Sequence, residues 1–284
     1  MVLTDPGVIK DIKRKFGFEF KKAYGQNFLT SEKVLSEICH SVHESECILE
    51  IGPGFGTLTD ALAKSFEKVV AIEIDKNLPQ VLEYTLKEHN NVKIISGDCM
   101  KMDLKKLISE EFEGKRVSLA ANLPYYITTP IITTVLESRL PLESMVVMVQ
   151  KEVAERLCAS PGGKEYGAIS VLCSYFTESE IVAKVPAGCF VPAPKVDSAV
   201  VLMKIRKEPP VELTDEKMFF RVVRAAFSQR RKTLLNCLSS CFGGDKQKLS
   251  QYMEEAGINP ARRGETLSVE EFAALSNKFI QEGM

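Results

Sequence analysis

Apolar residues along this chain gather into short β-rich runs with helix-length stretches between them: Cys47 to Ile51, Lys68 to Ile74, Val92 to Ser96, Val117 to Ala121 and Met145 to Val149. Near-continuous apolar runs alternating with helical segments predict a parallel sheet with crossover helices. Between the first two runs, Leu58, Leu62 and Phe66 recur at i, i+4 and i+8, the spacing of a helix that lays one face on a sheet. From Glu180 the rhythm changes. A run from Ile181 to Val185, a Pro/Gly-rich loop and a run from Ser198 to Ile205 predict a hairpin-like strand pair that ends the sheet.

Lys207-Glu208-Pro209-Pro210 reads as a linker, because consecutive prolines block both helix and central strand. Beyond it the pattern is helical throughout, over 214–227, 229–240, 246–256 and 268–281. Thr214-Asp215-Glu216-Lys217 and Ser268-Val269-Glu270-Glu271 offer N-caps, the second with capping-box spacing. The expected organisation is an α/β domain over residues 1–207 and a small all-helical domain over 208–284.

Composition adds exclusions. No apolar run approaches the roughly 18 residues of a membrane span, and 45% hydrophobic with 26% charged residues is ordinary for a globular protein. The N-terminus mixes Lys10, Lys13, Arg14, Lys15, Lys21 and Lys22 with Asp5, Asp11 and Glu19 and lacks the apolar core of a signal peptide, so a cytoplasmic location is expected. Eight cysteines without a C-x-x-C pair, beside three histidines, speak against a metal centre or a disulfide framework. In a reducing compartment such cysteines serve as small hydrophobic residues. A net charge of −1 argues against a uniformly basic nucleic-acid binder, yet Arg221, Arg224, Arg230, Arg231 and Lys232 form a stretch with no acid in it.

Gly52, Gly54 and Gly56 follow the first strand and precede a helix, where a backbone without Cβ can approach a ligand closely. Thr57 breaks the G-x-G-x-x-G spacing of dinucleotide sites, which disfavours NAD. Glu73 closes the next strand, placed to take two ribose hydroxyls, and Asp98 follows the third, placed to accept from the exocyclic amine of an adenine. Each alone reads more readily as a loop glycine or a solvated strand-end acid. Their ordered recurrence at successive strand ends points to a nucleoside crevice.

Asn122-Leu123-Pro124-Tyr125-Tyr126 follows the fourth strand and opens on the same crevice. An amine on an aromatic ring is a poor nucleophile because its lone pair is delocalised. The Asn122 side-chain oxygen and the Pro124 carbonyl are candidate acceptors for its two hydrogens, held rigid by proline. Tyr125 offers a flat face for an unpaired base, and Phe190, in the stiff loop Phe190-Val191-Pro192-Ala193-Pro194-Lys195-Val196-Asp197-Ser198, is a candidate for its other face. An Asn/Pro-capped turn and a proline-rich hairpin connection are the plainer readings of the two segments.

With these residues in view, the chain resembles the ribosomal RNA small-subunit adenine N6,N6-dimethyltransferases. The match runs through Tyr24-Gly25-Gln26-Asn27-Phe28-Leu29, Glu50-Ile51-Gly52-Pro53-Gly54, Glu73, Gly97-Asp98, Asn122 to Tyr126, the Phe190 to Ser198 loop and Phe227-Ser228-Gln229-Arg230-Arg231-Lys232-Thr233-Leu234. The resemblance implies a Rossmann-like methyltransferase domain with a C-terminal helical, rRNA-binding domain, and S-adenosylmethionine as methyl donor. It further implies dimethylation of two adjacent adenines in a hairpin loop near the 3′ end of small-subunit rRNA, in the pre-30S subunit late in its maturation, by a monomer. The cofactor contacts it implies are Gln26, Asn27, Leu29, Gly52, Gly54, Glu73, Ile74, Asp98 and Asn122.

Arg221 and Arg224 share a helix face, with Phe219, Val223 and Phe227 free to face a core. If Ser228 caps a second helix, Arg230, Arg231 and Lys232 fall in its first turn, against the helix dipole, which hints at an external anion such as rRNA phosphate. A salt-bridged solvated face is the alternative, and one unbroken helix would remove the dipole argument. The lysines of the N-terminus are either further phosphate contacts or a frayed tail.

Three other functions remain in play. A macrolide-resistance type of dimethyltransferase acts on large-subunit rRNA and typically carries Ile where this chain has Leu123. A non-catalytic assembly or transcription factor would be expected to have lost Glu73, Asp98 or Asn122. DNA-amine or protein-glutamine methylation shares the Asn/Pro/aromatic logic, but the match after Phe190 favours RNA.

Overall fold

The computed structural model describes residues 1–17 and 27–284, which divide into two compact units. The first comprises Met1–Ala154 and Ser179–Ile205, the second Glu155–Glu178 and Arg206–Met284.

The first unit opens with helix α1 (Pro6–Lys15), the two-residue strand β1 (Phe28–Leu29) and α2 (Glu32–Ser41). Strand and helix then alternate: β2 (Cys47–Ile51), α3 (Thr57–Ala63), β3 (Lys68–Glu73), α4 (Pro79–Thr85), β4 (Val92–Ser96), α5 (Leu104–Phe112), β5 (Val117–Asn122), α6 (Thr128–Glu137) and β6 (Ser144–Gln150). Helices α7 (Lys151–Leu157) and α8 (Ala168–Phe176) precede three further strands, β7 (Thr177–Val185), β8 (Phe190–Val191) and β9 (Ser198–Ile205).

The main sheet runs in the order β4-β3-β2-β5-β6-β9-β7, with β1 and β8 forming a separate antiparallel ribbon. Strands β2 to β6 pair in parallel and β9 runs antiparallel to β6. The five β-rich runs read from the sequence are these five parallel strands, and the late strand pair is β7 and β9. All five residues of β2 are buried, as expected of a central strand covered on both faces. On one face Ile48, Val69, Ala120 and Val146 pack against Leu58, Leu62 and Phe66, the stripe that the helical spacing predicted.

Helix α1 begins at Asp5, whose carboxylate accepts from the Gly7 N–H at 2.6 Å, with Pro6 at the first position. Ile9 and Ile12 are buried beside Phe28, Phe55 and Leu78. The described part of the lysine-rich N-terminus is therefore a docked helix rather than a frayed tail. Lys21 and Lys22 lie outside the described residues.

In the second unit α9 (Glu216–Ala226), α10 (Leu234–Phe242), α11 (Lys246–Glu255) and α12 (Val269–Gln281) follow one another. The capping box at Ser268 forms, with the Glu271 N–H donating to the Ser268 hydroxyl at 3.2 Å and the Ser268 N–H to the Glu271 carboxylate at 2.9 Å. The expected division into 1–207 and 208–284 needs one correction, because residues 155–178 join the C-terminal helices. The cause is chemical. Helix α8 is apolar on most of its surface and has to be covered: Tyr175 lies 5.3 Å from Phe219 and 5.4 Å from Phe220, ring centre to ring centre, and its hydroxyl donates to Glu216 at 2.8 Å. Phe219 is fully buried in this cluster. We expect Phe219→Ala to cost about 3–5 kcal/mol, measurable by denaturant unfolding of the full chain; a cost below about 1 kcal/mol would show that the ring is not central to this packing.

Candidate active site

From β2 the chain proceeds to β3 and β4 on one side, then returns past β2 to β5 and β6 on the other. The loops after β2 and β5 therefore lead in opposite directions. Between them opens the crevice at the carboxyl ends of the strands where ligands bind in open parallel sheets. Asn27, Leu29, Gly52, Gly54, Glu73, Ile74, Asn122, Pro124 and Tyr125 all line it, nine residues singled out from the sequence. A second hollow, lined by His40, His43, Asp60 and Lys64 among others, lies on the far side of Thr57 and holds none of the predicted residues.

Gly52 and Gly54 both adopt left-handed backbone, with φ of +74° and +60°. A Cβ on Gly52 would meet nothing within 4 Å, so this residue borders open cleft, whereas one on Gly54 would stand 2.9 Å from the Phe28 ring. Phe28 is held in turn by stacking on Phe55 at 4.1 Å. Gly54→Ala is therefore strained twice, and we expect it to weaken nucleoside-cofactor binding at least about tenfold while the protein stays folded, read by equilibrium titration. Unchanged affinity would show that the turn does not shape the cleft.

Glu73 is buried at the end of β3. Its carboxylate accepts from the Asp75 N–H at 2.7 Å and the Gly54 N–H at 3.2 Å. Burial pushes its pKa above the usual carboxylate range, and these N–H donors oppose the rise. A carboxylate so placed beside the open side of Gly52 suits ribose hydroxyls, which donate where the loop N–H now does. The residues present thus fit an adenosyl group.

The side-chain nitrogen of Asn122 donates to the Asn27 carbonyl at 3.0 Å. Only the NH₂ end of the amide can face a carbonyl, so this bond fixes the flip and leaves Oδ1 as the acceptor turned elsewhere. The Tyr125 hydroxyl is paired with Ser198 at 2.8 Å, which sets the ring's orientation. Tyr126, next to it, is 58% exposed.

Three expectations change. The Pro124 carbonyl, expected to accept one amine hydrogen, already takes the Ile127 N–H and the Thr128 hydroxyl, each at 3.1 Å, which uses both of its lone pairs. It can join Asn122 only if the amine displaces Thr128. Phe190 does not line the cleft but is a core residue, paired with Leu29 across the β1–β8 ribbon and packed with Val34 and Leu35; its bulk is spent on joining the ribbon to the sheet. Asp98, at the end of the edge strand β4, is not in the lining either, and its carboxylate accepts from the Met100 N–H at 3.0 Å. Gln26 lies outside the described residues.

Sequence reading missed Thr57, Leu58 and Leu78 in the lining. Leu78 carries no signal, being one leucine among many. Glu50 stands in the sequence only as the flank of the glycine turn, although an acid inside a wholly buried strand was the available clue. Among the described residues no group of three or more His, Cys, Asp or Glu could hold a metal ion.

The basic segment also differs from expectation. Thr233, not Ser228, caps α10, accepting from the Asn236 N–H, and Ser228 closes α9 by donating to the Ala225 carbonyl at 2.7 Å. Arg230, Arg231 and Lys232 sit in the connecting turn ahead of the helix, all exposed, so the dipole argument lapses. Arg230 donates to the Lys164 carbonyl at 2.9 Å. Arg221 and Arg224 are exposed on α9, and the Arg221 guanidinium lies 4.3 Å from the centre of the Phe242 ring.

A family model described as ribosomal RNA adenine dimethylase matches residues 17–281. The chain belongs to that family. It is 52% identical to the ribosomal RNA small subunit methyltransferase A of Bacillus mycoides, over 98% of this chain and 97% of that one, and shares the same identity and coverage with the Bacillus cereus protein of that name. Among solved structures it resembles a dimethyladenosine transferase from Plasmodium falciparum, at 25% identity and TM-score 0.75, over 90% of this chain and 98% of that one. It also resembles the 23S rRNA methyltransferase ErmE, at 25% identity and TM-score 0.68, over 90% and 100% of the two chains. This member of the family is an rRNA adenine dimethyltransferase that uses S-adenosylmethionine, and its α/β domain, the parallel sheet read from the strand rhythm, has the methyltransferase fold that the resemblance implied. No helix among the described residues is long and apolar enough to cross a membrane.

Proposed function

We propose that this dimethyltransferase modifies the N6 amines of two adjacent adenines in a hairpin loop near the 3′ end of small-subunit rRNA. In this reading it works as a monomer in the cytoplasm on the pre-30S particle, late in assembly. The observation that carries the chemistry is the orientation of Asn122. With its nitrogen pinned to Asn27, Oδ1 accepts one hydrogen of the amine and draws the nitrogen lone pair out of the purine ring. Bound S-adenosylmethionine supplies an electrophilic methyl group. The nitrogen becomes cationic as its bond to carbon forms, so its proton is acidic and can leave to solvent without a dedicated base. After one transfer a hydrogen remains on the nitrogen for Asn122, which permits the second. Tyr125, held by Ser198, is the ring against which the base stacks. Gln26, Asn27, Leu29, Gly52, Gly54, Glu73 and Ile74 hold the cofactor in this scheme. Asp98 joins them only if the β4 loop turns its carboxylate toward the cleft.

The small-subunit assignment is supported by the names of the relatives at 52% identity and by Leu123 with the Gln229 to Leu234 segment. Resemblance to ErmE keeps a large-subunit target as the competing reading. Arg221, Arg224, Arg230, Arg231 and Lys232 are assigned to the phosphate backbone. Replacing Arg230, Arg231 and Lys232 together with Ala is expected to weaken subunit binding and lower the slope of log affinity against log salt by about 0.7–0.9 for each phosphate left unneutralised. An unchanged slope removes the three from the footprint. The target itself is tested by incubating the protein and labelled cofactor with undermethylated small subunits, large subunits and free RNA, followed by nucleoside mass spectrometry. Dimethyladenosine in the small subunit alone supports the proposal, and its appearance in the large subunit refutes it.

A further inference from the structure

Tyr126 lines the crevice beside Tyr125, and among the described residues it is the one aromatic in the set of exposed large hydrophobic side chains. A single apolar side chain on a surface is ordinary. This one stands at the lip of the reaction site, on a turn fixed at both ends. Ahead of it Asn122 is tied to the Asn27 carbonyl at 3.0 Å. Behind it the Ile127 N–H and the Thr128 hydroxyl both donate to the Pro124 carbonyl at 3.1 Å. The exposed ring is therefore carried by anchored backbone.

The two tyrosines differ in their surroundings. Tyr125 is half-buried and its hydroxyl is paired with Ser198 at 2.8 Å, which commits its ring to the crevice. Tyr126 keeps most of its surface in solvent. On the proposed substrate two adenines are neighbours in one strand. Swinging one of them onto Tyr125 breaks its stacking on the other, which is left with a bare face at the mouth of the crevice. The scale fits: consecutive Cα atoms stand about 3.8 Å apart, and stacked nucleotides of one strand follow each other at about 3.4 Å. An unstacked base recovers a partner on an aromatic ring.

We infer that Tyr126 is a specificity residue for the RNA: its ring stacks on the nucleotide next to the one being methylated, so that the two adjacent adenines occupy Tyr125 and Tyr126 together. The inference rests on the reading of two adjacent adenines as the target. It gives the enzyme a preference for an adenine with a base beside it over one with none, because an empty neighbour leaves the Tyr126 ring in water.

The test compares small subunits reconstituted on unmethylated rRNA carrying both adenines with two counterparts in which one adenine or the other is replaced by an abasic nucleotide. The readout is kcat/KM for the first methyl transferred to the adenine that is kept, at saturating S-adenosylmethionine, by mass spectrometry of RNA fragments. Loss of one base–aromatic stack corresponds to about 5- to 150-fold, and the parent enzyme should fall by that much on at least one abasic counterpart. Tyr126→Ala should fall equally on the intact pair and lose nothing further on that counterpart. Tyr126→Phe, which keeps the ring, should retain the parent's discrimination, whereas Tyr126→Leu, apolar but without the ring, should behave as Tyr126→Ala. No loss in the parent on either counterpart overturns the inference, and this comparison needs no variant to fold. A full loss that persists in Tyr126→Ala or Tyr126→Leu also overturns it. If the parent methylates large subunits and none of the small-subunit substrates, the target reading itself has failed and the inference falls with it.

Discussion

Asn122→Ala is expected to lower methyl transfer by roughly 10²–10³-fold, the usual loss when one preorganised polar contact to a developing charge is removed. Cofactor affinity should change far less, because Asn122 is one of many lining residues and its nitrogen is occupied by Asn27. The expectation is strengthened by the state of Pro124. With both lone pairs of that carbonyl already engaged, Asn122 is the acceptor of this loop that needs no rearrangement before the amine arrives. Single-turnover rates on undermethylated subunits, with cofactor saturating, separate chemistry from binding. A variant within about threefold of the parent rate would remove Asn122 from the reaction.

Glu73→Ala should act on the opposite term. Two hydrogen bonds from ribose to a charged acceptor are worth about 1.5–3 kcal/mol each, so loss of the carboxylate should weaken S-adenosylmethionine by at least tenfold and leave the rate at saturation nearer the parent value. The fold should tolerate the change, since a buried carboxyl with a raised pKa is a burden on stability at neutral pH. The stability gain from removing it is absent below the ordinary carboxylate pKa and grows as pH rises through the raised one. Titration of cofactor across pH 5–8 checks both points. Undiminished affinity would mean that the ribose hydroxyls find other partners.

Much of this was legible in the chain. Four of the parallel strands, β2, β3, β5 and β6, could be read because they are buried on both faces and so are apolar along most of their length, and the crevice could be located because its residues close successive strands. What the sequence concealed was partnership. Phe190 reads as an exposed aromatic in a proline-rich loop until the antiparallel pairing with Leu29 draws it into the core. The Pro124 carbonyl reads as an available acceptor until α6 begins a few residues later and Thr128 reaches back to it. Cations at 230–232 look like a helix start until Thr233 proves the better cap. Residues 155–178 precede two strands of the sheet and look like part of it. Only the aromatic contacts of Tyr175 and Phe176 show where they belong. In each case local composition allows two outcomes and a residue elsewhere in the chain selects one.

The most direct test of the account is a crystal structure of the enzyme with a non-reactive cofactor analogue and adenosine. It should place the Asn122 side-chain oxygen about 3 Å from N6, with the base on Tyr125 and the ribose of the cofactor on Glu73. A base bound with N6 beyond reach of Asn122, or a cofactor lodged anywhere but the cleft between β2 and β5, would contradict it.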